Sequence, residues 1–450
     1  MAGTRLTRSY GAGVTGNRSK WTFSGWIKRS NEFGSEQGIL TVYSNSSYYT
    51  SIDITSEDQI NFFDLYNGGI NGRVRANARN RDCTGWTHIV CTFDRNNATS
   101  GDKIRMWING VRITGALASL ETMPANATTL NSDSQTLEIG AKNNASYFNG
   151  QMSHLHFCDG YAYEASDFGG FDSTTGEWSI NTSPSVTYGT QGWFILKDGN
   201  SVTDESTNTN NFTVSNGTLT KTEDNPSNVF ATIDRHNECT ASGFFLEYGN
   251  TRTTTSDGGQ FGGSSNLGAK TGKYYFEIKF TSGTTTWGNI NFVSSSNARE
   301  TARQNVHANQ LSASFPSFCY EFDGNVYKDS TSTVANYGSY AVGDIIMIAA
   351  DLDNQYCYFG RNGTWGNSSD PTSGATGTGG ASMSANPDFW HLALGDRNSS
   401  GYNVYDINFG NGYFGTTAVA SAGTNASGNG IFEYDVPTGY TALSTKGLNL

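Results

Sequence analysis

Hardly anywhere in these 450 residues do apolar side chains recur at the three-to-four spacing that gives a helix one buried face. They alternate instead, in short runs closed by Gly, Asn and Asp, and a period of two builds a strand with one buried side. WTFSGWIK (21–28) puts Trp21, Phe23 and Ile27 on one face, and KIRMWING (103–110) does the same with Ile104, Met106 and Ile108. A chain so patterned closes its sheets face to face, because each has an apolar side that must be covered. Composition agrees: 54 Gly, 23 Tyr and 26 Phe beside only 15% charged residues suit strands and turns. No heptad run of the kind that winds a fibre shaft is present.

Two phrases show the turn chemistry best. GWTHIVCTFDRNNATSGDKIRMWINGVRI starts at 85 and GDIIMIAADLDNQYCYFGRNG at 343. Each ends an apolar strand on an Asp (Asp94, Asp351) and the next on Asn-Gly (Asn109-Gly110, Asn362-Gly363). Asn-Gly predicts a type I′ hairpin, since both central residues need positive φ. The shared pattern is therefore hairpin physics, with Asp94 and Asp351 finishing strands and bonding their turns.

Composition shifts at TKTEDNPSNVFATIDRHNE (220–238), which carries charge and Pro226 with little alternation, and a boundary is placed there. Before it, YGTQGWFILK (188–197) returns as a late strand to an early sheet. After it, GKYYFEIKF (272–280) points Tyr274, Phe276, Ile278 and Phe280 one way and Glu277 and Lys279 the other. SSDPTSGATGTGGASMSANP (368–387) reads as a long mobile loop. The expected organisation is an N-terminal docking arm at 1–20, a sandwich at 21–221, a linker at 222–240 and a second sandwich at 241–450. The fold class is all-β, two consecutive antiparallel β-sandwiches.

The succession WTFSGWIKR, GWTHIVCTFD, IRMWINGVRI and LEIGAKNNASYFNGQMSHLHFCDG resembles the laminin-G and pentraxin-like branch of the concanavalin A-like jelly rolls, over about 1–220. GKYYFEIKF, YAVGDIIMIAADLDNQYCYFGRNG, YDINFG and FEYDVPTGYTAL resemble a SPRY domain, over about 240–445. With the phrases FGGFDSTTGEW and NPSNVFATID, the whole is similar to virion proteins of tailed bacteriophages of the marine type. That resemblance implies a structural or adhesion protein of the particle: a capsid or tail decoration, a fibre component or a receptor-binding component. Its partners would be other virion proteins and host cell-surface polysaccharide, and its assembly a homo-oligomer, with a trimer favoured. Two readings from other classes stand beside it, a carbohydrate-active enzyme of the concanavalin A-like fold and an intracellular SPRY-type adaptor that binds a peptide.

Retaining glycoside hydrolysis needs two carboxylates about 5 Å apart, as a Glu-x-Asp-x-x-Glu strand would hold them. That phrase is missing, and the acid pairs present, Glu57-Asp58 and Asp351/Asp353, lie at turns or strand ends. GxSxG, HExxH and P-loop phrases are missing too, so no enzyme activity and no catalytic residue is expected. His88 reads as a buried imidazole, and His154 and His156 lie two apart without a third ligand in view. No cofactor is assigned; the jelly-roll resemblance leaves room for a structural calcium ion near Asp94, Asn96, Asn97 and Asp102. Binding through loop aromatics is the expected role, with Tyr48, Tyr49, Trp287, Trp365 and Tyr402 as candidates for stacking on sugars or anchoring a partner.

The net charge of −12 argues against a general nucleic-acid binder, although Arg73, Arg75, Arg79 and Arg81 form a local basic cluster. No apolar run reaches 18 residues, so no membrane span is expected. MAGTRLTRSYGAGVTGNRSK has no secretory apolar core, so no secretory signal is expected, and the phage resemblance then implies synthesis in the host cytoplasm and residence in the virion. Six Cys without a CxxC pair read as buried free thiols.

Overall fold

The computed structural model describes residues 3–13, 16–30, 32–197, 201–234, 244–255, 261–283, 288–295, 316–329, 332–386, 388–396 and 401–449. The chain forms two compact units, Met1–Lys221 and Thr222–Leu450. Both are antiparallel β-sandwiches, apart from one short parallel pairing in the second.

The strands of the first unit are β1 (Arg5–Ser9), β2 (Lys20–Arg29), β3 (Gln37–Asn45), β4 (Tyr48–Ile54), β5 (Gln59–Tyr66), β6 (Gly69–Arg79), β7 (Thr87–Asp94) and β8 (Ile104–Ile108). They continue as β9 (Val111–Arg112), β10 (Ala118–Thr122), β11 (Thr136–Ile139), β12 (Gly150–Asp159), β13 (Gly169–Phe171), β14 (Trp178–Ile180), β15 (Trp193–Ile195) and β16 (Thr213–Asn216). One sheet runs β10-β6-β5-β4-β3-β11-β1-β16 and the other β15-β12-β2-β7-β8-β9. Between them Trp21 packs on Phe62, Phe93 and Phe157 with ring centres 5.6–5.8 Å apart. Alternation decided this packing: Trp21, Phe23, Ile27, Ile104 and Met106 all enter the core.

The expected docking arm is corrected here. Residues 5–9 are a strand of the larger sheet, one in from its edge, held by β11 on one side and β16 on the other, and Tyr10 is buried with its hydroxyl donating to Asn131. Leu6 supplies the apolar anchor that a basic, Gly-rich composition hid.

The second unit contains β17 (Phe244–Glu247), β18 (Arg252–Thr255), β19 (Phe261–Ser264), β20 (Lys273–Gly283), β21 (Gly288–Ser294), β22 (Ser317–Glu321), β23 (Asn325–Lys328), β24 (Ser332–Asn336) and β25 (Ile345–Asp351). It closes with β26 (Tyr356–Arg361), β27 (Thr364–Trp365), β28 (Ala381–Ser382), β29 (Trp390–Asp396), β30 (Asn403–Asn408), β31 (Tyr413–Phe414), β32 (Thr417–Ala418) and β33 (Thr441–Ala442). Its sheets run β17-β18-β30-β20-β25-β26-β27 and β19-β29-β21-β22-β23-β24. Phe276, Ile278 and Phe280 meet Ile290, Phe292 and Phe359 between them.

Two further expectations change. Residues 222–234 are not a linker, because Phe230, Ala231 and Ile233 are buried in the second unit. The Gly- and Ser-rich stretch at 368–386 is a built element: β28 pairs with β26, Tyr337 donates to the Gly379 carbonyl at 2.8 Å, and Tyr440 donates to that of Pro371 at 3.0 Å.

Each sandwich also has a covering layer. Residues 161–192 lie over the outside of the smaller first sheet, where Val90, Trp107 and Cys158 pack with Ala165 and Phe168. In the second unit Phe432, Val436 and Tyr440 cover Tyr275, Met347, Ala349 and Tyr358.

Candidate functional site

The eight-stranded sheet has an outer face whose composition is set by register. Thr41 pairs with Ser51, Ser51 with Phe63 and Phe63 with Arg73; one step along, Tyr43 pairs with Tyr49 and Asp53 with Asn61. Their neighbours Leu40, Val42, Ile52, Phe62 and Val74 face the core, so this row faces away from it.

On that face Tyr49 lies 5.6 Å from Tyr43 and 5.4 Å from Phe63, ring centre to ring centre, and all three rings are half-buried. Cations lie over two of the rings: Lys142 Nζ sits 5.1 Å from the centre of Tyr49, the middle ring, and the Arg73 guanidinium 5.7 Å from that of Phe63 at one end. These contacts hold long side chains against aromatic faces and stiffen the row. Lys142 Nζ also donates to Glu36 at 2.6 Å and to Asp53 at 3.2 Å. Asp53 is buried and accepts from Ser51 Oγ at 2.6 Å and Asn61 Nδ2 at 2.8 Å. Burial by itself lowers the Lys142 pKa, but the carboxylates of Asp53 and Glu36 outweigh it and raise it. Burial raises the pKa of the Tyr49 hydroxyl against the pull of Lys142. The result is a cationic and aromatic platform that can stack a sugar ring and hydrogen-bond its substituents.

Tyr49 is the sequence candidate that lands on this platform. Tyr48, its neighbour, turns away to the hairpin tip, where it meets Tyr66 edge-on at 5.3 Å and donates to Asn67 at 3.2 Å. Trp365 is a packing residue, half-buried against the covered layer with Tyr275 at 6.4 Å. Tyr402 is 40% exposed and its hydroxyl meets Ser282 Oγ at 3.1 Å. Trp287 lies outside the described residues. Sequence reading missed Tyr43, Phe63 and Lys142; aromatics on the polar phase of YSN and NFFDLY were the available signal, and only register joins them.

The remaining polar candidates are held by their surroundings. Trp178 Nε1 donates to His88 Nδ1 at 3.0 Å, so Nε2 carries the proton and donates to Ser24 Oγ at 2.8 Å. With Trp26 stacked at 4.6 Å, burial lowers the His88 pKa to about 3. His156 contacts the Tyr188 hydroxyl at 2.9 Å and stacks on Phe194 at 3.9 Å. Asp351 accepts from Asn354 N–H at 3.0 Å and from Lys273 at 2.8 Å, while Asp353 accepts from Gly272 N–H at 2.7 Å. Asp58 accepts from Gly34 N–H at 3.0 Å and pairs with Arg29 at 3.3 Å and Arg81 at 2.6 Å. The loop considered for calcium does not fit one: Asp94 pairs with Lys20 at 3.0 Å, Asp102 pairs with Arg112, and Asn97 accepts from its own turn at Thr99. Among the described residues no cluster of three His, Cys, Asp or Glu is placed to hold a metal ion. No helix of the described residues is long and apolar enough to cross a membrane.

A β-sandwich with a polar, aromatic outer sheet face is a fold compatible with carbohydrate or protein binding. Residues 8–167 match the laminin-G model of the concanavalin A-like lectin/glucanases superfamily. Solved structures of similar shape include the SPRY domain of human HERC1, 17% identical, covering 39% of this chain and 96% of that one, with a TM-score of 0.30. The heptameric SAP-like pentraxin of Limulus polyphemus is 15% identical, with 44% and 86% covered and a TM-score of 0.28. The PSpry domain of TRIM65 is 9% identical, with 40% and 91% covered and a TM-score of 0.26. A search of curated proteins finds no match.

Proposed function

We propose that this chain is a non-enzymatic adhesion or structural protein of a tailed-phage particle, and that its first sandwich binds host-surface glycan on the Tyr43–Tyr49–Phe63 platform. The observation that carries the binding half is the platform itself: three half-buried rings in a row, with Lys142 over the middle one and Arg73 over Phe63 at one end. Half-buried aromatics cost solvation without completing a core, and a ligand that stacks on them removes that cost. The particle half rests on the sequence resemblance, in the order of its strand phrases and in FGGFDSTTGEW and NPSNVFATID. The protein would be made in the host cytoplasm and reside in the virion, beside other virion subunits and as a homo-oligomer, with a trimer favoured.

The non-enzyme reading is supported by the engagement of the acid pairs in ion pairs and turns. Labelled antibody against the protein should decorate purified particles, and its absence from them would refute the virion half. A glycan array probed with the full chain should retain host polysaccharide uncleaved. Release of oligosaccharides would overturn the non-enzyme half, and equal retention by Tyr49→Ala would overturn the platform.

A further inference from the structure

We infer that residues 164–188 form a proton-released flap over the outside of the smaller first sheet, latched by two imidazoles that must stay neutral, His88 and His156. The flap is folded on itself: β13 pairs with β14, and Asn181 N–H donates to the Phe168 carbonyl at 2.9 Å. Ala165 and Phe168 seat it on Val90, Trp107 and Cys158, while most of its other side chains are exposed. Just before it, the hydroxyls of Thr22 and Thr92 donate to the carbonyls of Tyr161 and Tyr163 at 2.9 and 2.6 Å, which anchors the chain where the flap begins. An element with so few buried contacts opens more readily than the sandwich beneath it.

The latch follows from donor chemistry. An indole N–H only donates, so the 3.0 Å bond from Trp178 Nε1 needs a bare Nδ1 on His88, whose Nε2 proton already points to Ser24. A further proton would land on Nδ1, set two N–H groups head on and leave a buried charge. His88 faces Ser24, Trp26, Asn109 and Trp178, none of which carries a charge. His156, against the Tyr188 hydroxyl at the far end of the flap, meets the charges of His154, His88 and Lys197, all of one sign. The nearby carboxylates are turned elsewhere: Glu164 to Arg105 at 2.5 Å and Asp167 to the Glu164 N–H at 2.8 Å. Asp204, which acts on Tyr188, accepts from the N–H groups of Phe194 and Asn210 at 2.8 Å each.

Burial lowers the pKa of both imidazoles, and lifting the flap returns them toward 6.5, so opening takes up protons and acid favours it. Above pH 6.5 the flap stays shut. Between about pH 7.5 and 5.5 each histidine multiplies the opening constant by about ten, and the two together by about a hundred.

Thiol labelling of the full chain tests this, because Cys158 lies under the flap and Cys91 in the core on the other side of the sheet. Dithiodipyridine labelling is read at each site by peptide mass, and its rate is divided by that of the denatured chain at the same pH, which cancels the thiolate fraction. Cys158 should react about tenfold or more faster than Cys91 at both pH values, and about a hundredfold faster at pH about 5.5 than at about 7.5. Equal rates at the two sites would mean that the whole sandwich opens, and a Cys158 rate indifferent to pH would mean that no proton latch exists; either overturns the inference without recourse to a variant. His88→Gln keeps a donor and an acceptor in place and should cut the acid acceleration to about tenfold, and His88→Gln/His156→Gln should abolish it. Histidines with a merely structural role would instead change the rate equally at both pH values, and the full acceleration surviving in the double variant would refute the latch.

Discussion

Two buried groups, Glu277 and His88, link proton binding to stability with opposite signs. The Glu277 carboxylate is fully buried and accepts from Tyr275 Oη at 2.9 Å and from the backbone N–H groups of Tyr434 and Glu433, each at 2.8 Å. Burial pushes its pKa from 4.5 up to about 7, so the folded state keeps a proton that the unfolded chain has lost. Its contribution is full below pH 4.5 and is lost as pH rises to about 7, with a slope of about 1.4 kcal/mol per unit. His88 falls from 6.5 to about 3, so its contribution is full above pH 6.5 and is lost on acidification. His156 moves in the same direction, while Asp64, raised from 3.8 to about 6, opposes them in part. Hydrogen exchange between pH 4.5 and 7.5, corrected for intrinsic rates, should therefore show the first sandwich tightening and the segment around residues 431–436 loosening. Glu277→Gln should flatten the second trend alone; parallel trends in both units would contradict the assignment.

The Asn-Gly hairpins are the elements where sequence and structure agree most closely. Asn109 and Gly110 have φ of 47° and 75°, and Asn362 and Gly363 have 48° and 84°, the positive pair that a two-residue turn needs. Asp94 and Asp351 do end their strands, β7 and β25. The two turns differ in surroundings, because a Cβ on Gly110 would lie 2.2 Å from the Trp178 ring and one on Gly363 would lie 3.1 Å from that of Tyr434. Gly363→Ala should cost about 1 kcal/mol from its backbone alone. Gly110→Ala should cost about 3 kcal/mol, since displacing Trp178 adds an overpacking term of about 1–3 kcal/mol. Denaturant midpoints of the two variants check this, and equal losses would mean that Trp178 yields freely. Legibility failed where an element depends on a distant partner: β1 has little apolar content of its own and is a strand because β11 and β16 flank it.

At the scale of the whole molecule, the thiols test how completely both sandwiches close. Cys83, Cys91, Cys158, Cys319 and Cys357 are free and buried, and burial raises the pKa of Cys91, Cys158 and Cys357. A thiol reagent should therefore label at most one cysteine of the native chain and the other five only after denaturation. Rapid native labelling of two or more would show that a sandwich opens. The sequence by itself determined the all-β class and its hairpins, because alternation and Asn-Gly turns act through nearest neighbours. It also marked which faces of Trp21, Ile104 and Phe276 point inward. Only the tertiary structure decided that residues 161–192 and 430–442 cover the outer sheets, that Glu277 is buried, and that Tyr43, Tyr49, Phe63 and Arg73 form one face. Those outcomes depend on strand order and register, and a one-residue slip would send each of those side chains to the other side.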